Sequence, residues 1–168
     1  MLSFKQLEGK TFPPVSFLST NQEMINIGKS GNRVVLYVYP RTTPADGVPL
    51  PNWDVIPGAR GCSIQARGFA SFYTAILNTG ISNIYGLSTQ DTAYQQEAKS
   101  RLDVPFELLS DPKMLLAKEL NLPTFSVENH VLYQRITFVI SDGVIEKVFA
   151  PIKDAADNAR EVLAYLNH

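Results

Sequence analysis

Cysteine is almost absent from this 168-residue chain; Cys62 is the only one. A single thiol excludes an intramolecular disulfide framework, a multi-thiolate zinc site and the Cys-x-x-Cys pair of a thiol–disulfide oxidoreductase. Histidine is scarce as well: there are two, and one of them is the last residue, His168. Little is left to ligate a metal, and no metal or other cofactor is expected. Charge of one sign is also missing, since the net charge is −1 and no run of Lys and Arg stands out. That removes the electrostatic case for nucleic acid or an anionic membrane as partner. No apolar stretch approaches the roughly 20 residues of a spanning helix, and Met1-Leu2-Ser3-Phe4-Lys5 has no apolar leader core. The expected location is therefore cytoplasmic. Repeats and low-complexity segments do not occur.

What is present is a globular composition, 45% hydrophobic over 168 residues. A chain of this size is expected to form one domain over 1–168 and to bury roughly 70% of its unfolded surface. Helical and strand patterns alternate as in an α/β fold. Val34 to Tyr39 is a β-prone run with no polar face, as in a strand buried on both sides. Helix is expected from about Cys62 to Asn78, closed by Gly80 in the left-handed cap position. Ile81–Leu87 follows as strand, Thr92–Leu102 as a polar helix and Phe106–Leu109 as a short strand. Asp111 is expected to cap a helix with Pro112 at its first position. Arg135–Ile140 and Val144–Phe149 flank Ser141-Asp142-Gly143, a hairpin signal. A last helix is expected from near Asp154, presenting Ala155, Ala159, Val162, Leu163 and Leu166 to the core.

Cys62 opens the helical pattern in which Phe69, Phe72, Tyr73 and Ile76 recur at i, i+3, i+4 and i+7. A thiol in a first turn lies against unpaired backbone N–H groups and the positive end of the helix dipole, a place that favours thiolate. By position alone an inert buried thiol remains the commoner reading. The flanking residues shift that balance. Gly61-Cys62-Ser63-Ile64-Gln65-Ala66-Arg67-Gly68-Phe69 resembles the active-site segment of the peroxiredoxins, in particular the bacterioferritin-comigratory or Q-type branch, whose pattern is Gly-Cys-Thr-x-Gln/Glu-x-Cys-x-Phe. Four further stretches are similar to that family in its order: Arg33–Pro40 (RVVLYVYP), Ile84–Asp91 (IYGLSTQD), Phe106–Ala117 (FELLSDPKMLLA) and Gln134–Gly143 (QRITFVISDG). Together they span most of residues 12–149. The resemblance implies a thioredoxin-like fold, a central mixed sheet flanked by helices, with an amino-terminal extension.

It also implies a chemistry. Reducing a hydroperoxide with sulfur requires a thiolate, in-line access to one peroxide oxygen, and donors for the departing oxyanion. Cys62 supplies the sulfur. Arg135 stands where the family places its catalytic arginine, just before Ile136-Thr137-Phe138; without the resemblance it reads as an exposed strand residue or half of a surface ion pair. Gln65 falls on the same helix face as Cys62 and is a candidate to hold the site through its amide; a solvated helix residue is an equally good reading. Pro40 ends its strand and, by resemblance, shields the sulfur, although a proline there also simply terminates a strand. Ser63 replaces the family's threonine after the cysteine and caps the helix start at most.

Two departures from the family stand out. Its Pro-x-x-x-Thr-x-x-Cys motif is stretched here, with Pro40 twenty-two residues before Cys62 and Ala59 at the threonine position. The extra segment from Thr43 to Arg60 is proline-rich but carries Trp53, Val55 and Ile56, and is expected to be an ordered flap beside the thiol. Thr43, with Thr42 as second choice, is the candidate for the hydroxyl that contacts peroxide. Arg60 reads either as a second cation near the sulfur or as a partner of Asp46 or Asp54. The second departure concerns recycling: the branch's resolving cysteine position is Arg67. The likeness thus implies a one-cysteine peroxidase acting on hydrogen peroxide and organic hydroperoxides. An external thiol (glutaredoxin, thioredoxin or a small thiol) would recycle it, and the protein would be a monomer or homodimer. The alternative is a non-catalytic or redox-sensing binding module on the same fold.

Overall fold

The computed structural model describes residues 4–42 and 61–168. Its strands are β1 (Phe17–Ser19), β2 (Met24–Ile25), β3 (Arg33–Val38), β4 (Asn83–Ser88), β5 (Glu107–Ser110), β6 (Thr124–Val127), β7 (His130–Tyr133), β8 (Ile136–Ser141) and β9 (Val144–Phe149). Its helices are α1 (Cys62–Ser71), α2 (Tyr73–Leu77), α3 (Thr92–Leu102), α4 (Leu115–Leu120) and α5 (Asn158–Leu166). Seven strands form one mixed sheet in the order β2-β1-β5-β4-β3-β8-β9, and β6 and β7 pair separately. β3, β4 and β5 run parallel; on one side β8 is antiparallel to β3 and β9 antiparallel to β8, and on the other β1 is antiparallel to β5. This is the expected mixed sheet, and the amino-terminal extension adds its two outer strands.

β3 lies inside the sheet, between β4 and β8, and is buried along its length after Arg33. Alternation along it separates two cores. Val35, Tyr37 and Tyr39 join Phe69, Ile76, Ala98, Ala159 and Val162 of the flanking helices. Leu36 and Val38 face Phe12, Leu116, Phe138 and Ile140 on the other side. Tyr37 stacks on Phe69 at 4.7 Å between ring centroids, and Gly86 on the neighbouring strand makes room for its ring. A Cβ on Gly86 would lie 2.6 Å from Tyr37 Cζ, so that position admits no larger residue without displacing the tyrosine.

Several boundaries differ from the expectations, each for a local reason. The helix expected over Cys62–Asn78 bends at Phe72, whose φ of −97° and ψ of 9° are not helical. Hydrogen bonds from Phe72 N to Gly68 O and from Ile76 N to Phe72 O carry across the bend, so α1 and α2 are one helix redirected. Asp111 does cap α4, but from a distance. A turn closed by Met114 N to Asp111 O intervenes, Met114 adopts φ +53°, and Pro112 sits in that turn instead of at the helix start. The Asp111 oxygens accept from Leu115 N and Leu116 N, and Oδ2 also accepts from Tyr133 Oη at 2.6 Å. α5 begins at Asn158 instead of near Asp154, behind a turn over 155–157. The β8–β9 hairpin forms as its Asp142-Gly143 turn demands, with φ +49° and +76°. The β6–β7 hairpin, turned by Glu128 and Asn129 at positive φ, was not expected.

Candidate active site

Gly61 sets the position of the thiol. It adopts φ +102°, and a Cβ there would approach Ala155 Cβ to 2.9 Å, so only glycine fits this turn. The helix therefore begins at Cys62 itself, which places the sulfur at the positive end of the α1 dipole. Cys62 is 5% exposed and packs in the same core as Tyr37, Tyr39 and Phe69.

Arg135 arrives from the sheet. It precedes β8 by one residue, and strand alternation puts Arg135, Thr137 and Val139 on the α1/α5 face while Ile136, Phe138 and Ile140 point to the other core. Arg135 is 6% exposed. Nη2 donates to Cys62 Sγ at 3.4 Å, and Nη1 donates to Gln65 Oε1 at 2.5 Å. Gln65 is fully buried, so the solvated reading of this residue does not hold. Its backbone N–H donates to Gly61 O at 2.7 Å, closing the first turn, and its Nε2 donates to Asn158 Oδ1 at 2.9 Å. Thr137 Oγ1 donates to the same Asn158 oxygen at 2.8 Å. Helix α1, strand β8 and helix α5 thus meet through polar groups that are all out of water.

Burial is expensive for a guanidinium and for polar groups without partners, so such a cluster persists only where its groups are satisfied by one another. Chemically, a cation within hydrogen-bond reach of a sulfur at a helix amino terminus stabilises a thiolate and any oxyanion formed next to it. Two buried phenols complete the surroundings. Burial pushes the titration of Tyr37 and of Tyr39 well above the ordinary tyrosine value, and the nearby Cys62 adds to the effect, so both remain neutral beside the sulfur. A cavity of about 450 Å³ opens beside Arg135, with Phe4, Phe125, Pro151 and Ile152 as apolar wall and Lys153 as a second cation.

The structure brings Cys62, Gln65 and Arg135 together. Pro40 is buried at the end of β3. Thr42 directs both its N–H and its hydroxyl at Gln90 Oε1, and its carbonyl accepts from Tyr94 Oη. Thr43, Arg60 and the flap expected over Thr43–Arg60 lie outside the described residues. Arg67 is exposed, as its rotation around the helix from Cys62 requires. Sequence reasoning passed over Thr137 and Asn158. The signal for Asn158 was its place in line with Val162 and Leu166 on the apolar stripe of α5, a polar residue where the pattern calls for an apolar one.

This constellation has relatives. The family model described as Redoxin matches residues 7–163. The chain belongs to the redoxin family. As a redoxin it is 27% identical over 146 residues to a putative peroxiredoxin bcp of Coxiella burnetii, covering 83% of this chain and 86% of that protein. It is 28% identical over 147 residues to the chloroplastic peroxiredoxin Q of Oryza sativa subsp. japonica, covering 86% of this chain but 59% of the rice protein. These relatives agree with the bacterioferritin-comigratory resemblance of its motifs. The fold is shared with peroxidoxin BcpB from Mycobacterium tuberculosis, with a TM-score of 0.76 at 20% identity over 95% of this chain and 96% of that one. It is shared equally with reduced Prx3 of Vibrio vulnificus in complex with hydrogen peroxide, with a TM-score of 0.74 at 21% identity over 100% and 98% of the two chains. Among the described residues no helix is long and apolar enough to cross a membrane, and no cluster of His, Cys, Asp and Glu could hold a metal ion.

Proposed function

We propose that this redoxin is a thiol-dependent peroxidase of the one-cysteine type, with Cys62 as nucleophile and Arg135 as the cation that steadies the reacting charges. The observation that carries the reading is the 3.4 Å contact between Arg135 Nη2 and Cys62 Sγ at the first residue of α1. In the first step the Cys62 thiolate attacks the terminal oxygen of a hydroperoxide. The S–O bond forms as the O–O bond breaks; sulfur is oxidised by two electrons and the peroxide is reduced. The terminal oxygen keeps its hydrogen as the sulfenic acid, and the departing alkoxide or hydroxide, held by the guanidinium, takes its proton from water.

Since Cys62 is the only cysteine in the sequence, recycling falls to an external thiol. Its sulfur attacks the sulfenic acid, a mixed disulfide forms and water leaves; a second thiol then releases Cys62 as the thiol. Glutaredoxin, thioredoxin and small thiols all meet this chemical requirement. Hydrogen peroxide and organic hydroperoxides are both candidate substrates. The solved bacterioferritin comigratory protein of Xanthomonas campestris is named for alkyl peroxide reduction, and the apolar wall of the cavity beside Arg135 supports an organic group here. Peroxide consumption by the full chain with an added thiol tests the proposal. The wild type should turn over repeatedly, and Cys62→Ser should be inactive while remaining folded. Consumption that stops after one equivalent with every thiol offered would favour a redox sensor instead.

A further inference from the structure

We propose that Asn158 is a positioning residue for the Cys62–Arg135 pair, acting through Gln65; its consequence for peroxide chemistry rests on the peroxidase reading above. The Arg135 guanidinium has donors and no acceptor. Gln65 must therefore turn its Oε1 toward Arg135, as it does, and that choice sends its Nε2 the other way, into the interior. The amide there has no water to donate to, because Gln65, Asn158 and Thr137 are all fully buried. Only an acceptor of the protein can hold it, and Asn158 Oδ1 is the acceptor in place at 2.9 Å.

The orientation of Asn158 is then decided as well. The Thr137 hydroxyl can donate or accept, so it would serve either face of the asparagine amide. If Asn158 turned its Nδ2 toward Gln65, two donors would meet; with Oδ1 there, Thr137 donates to the same oxygen and Nδ2 is left buried with no partner. A residue present only to fill space or to start α5 has no reason to bury an idle donor. The polarity runs from the cation outward: Arg135 donates to Gln65, Gln65 donates to Asn158, and Asn158 accepts from Gln65 and Thr137 together. Both relay residues are neutral. They hold one arm of the guanidinium without adding a negative charge beside the sulfur that the other arm contacts. Helix α5 thereby sets the geometry of a thiol to which it contributes no direct contact in this chain of bonds.

The test uses the full chain with Asn158→Leu, Gln65→Leu and the double variant. The primary readout is the pH dependence of Cys62 alkylation by iodoacetamide, which reports the thiolate without requiring peroxidase activity. The second is the rate of Cys62 oxidation by hydrogen peroxide, measured by stopped flow. Asn158→Leu is expected to move the alkylation profile to higher pH and to slow oxidation about tenfold at neutral pH, roughly the cost of leaving the buried Gln65 amide donor without its acceptor. Gln65→Leu should do the same, and the double variant should be no slower than Gln65→Leu alone, since both changes cut one path. A folded Asn158→Leu protein with the wild-type alkylation profile overturns the inference, as does a double variant whose losses multiply. If the leucine variant does not fold, Asn158→Ala removes the acceptor without adding bulk and is judged by the same criteria. A shifted alkylation profile in a chain whose wild type consumes no peroxide would uphold the positioning role and defeat the peroxidase reading.

Discussion

Replacing Arg135 by Gln removes a positive charge 3.4 Å from the Cys62 sulfur and keeps a polar side chain of moderate size. With an effective dielectric constant of about 20, two unit charges at that distance attract by about 5 kcal/mol before desolvation is counted. The net value is smaller, and hydrogen bonds to charged groups typically retain about 1.5 to 3 kcal/mol, or roughly 10- to 150-fold in an equilibrium. The helix terminus at Cys62 contributes less, about 0.3 to 1 kcal/mol in ordinary cases. The arginine is therefore the larger of these two contributions beside the sulfur, and screening does little to reduce it because Cys62 and Arg135 are 5% and 6% exposed. In the proposed reaction the same cation would face the departing oxyanion, where losing one donor typically costs about 10²- to 10³-fold in rate. Arg135→Gln is thus expected to slow oxidation of Cys62 by about 10²- to 10³-fold at neutral pH and to move the acid limb of the pH–rate profile upward. Stopped-flow measurement of thiol loss against hydrogen peroxide, with circular dichroism to verify folding, gives both quantities. A folded variant that keeps its rate within a few-fold of wild type would refute the assignment and send the search for the cation elsewhere.

Three further outcomes are expected. Mass spectrometry after one equivalent of peroxide should find Cys62 as sulfenic acid, as a mixed disulfide with added thiol or as a disulfide between two chains, and excess peroxide without thiol should accumulate the sulfinic acid; sustained turnover with no added thiol would contradict the one-cysteine mechanism. Asp111→Ala should destabilise the protein by about 2 to 4 kcal/mol in urea unfolding, because Asp111 is buried, bonds two N–H groups at the start of α4 and accepts from Tyr133, and a loss below about 0.5 kcal/mol would mean that the turn before α4 holds without it. The hydrogen bonds from Arg33 hold the Glu146 carboxyl below its ordinary range, with Tyr165 Oη adding to the effect while burial opposes it. A carboxyl depressed on folding stabilises above its unfolded value and loses that contribution as pH falls through its folded one. Glu146→Gln should accordingly lower Tm at neutral pH and converge on wild type in acid, whereas a deficit that stays constant down to pH 2 would exclude ionisation as its cause.

Much of this molecule is written in local patterns. The apolar run Val34–Tyr39 had to be a strand covered on both faces, and it is an interior strand of the sheet. Asp142-Gly143 had to turn a hairpin, since both residues accept positive φ at low cost. Cys62 at the start of a helical period, behind a glycine, was legible for the same reason: caps and periods are properties of neighbouring residues. The motifs around Gln65 and Arg135 singled out two residues that the structure places in contact, and did so only through their resemblance to a family, because nothing local distinguishes a buried arginine from an exposed one. Their 2.5 Å contact joins positions 70 residues apart and exists only once β8 is laid beside β3 under α1. The bend at Phe72, the offset cap of Asp111 and the role of Asn158 were invisible for a related reason. Each is decided by what packs against it: the redirected helix follows its neighbours, the Asp111 carboxylate answers to Tyr133 from another hairpin, and the asparagine amide takes its direction from a cation on the sheet. A sequence states which groups need partners, and the tertiary structure alone decides which partner each one finds.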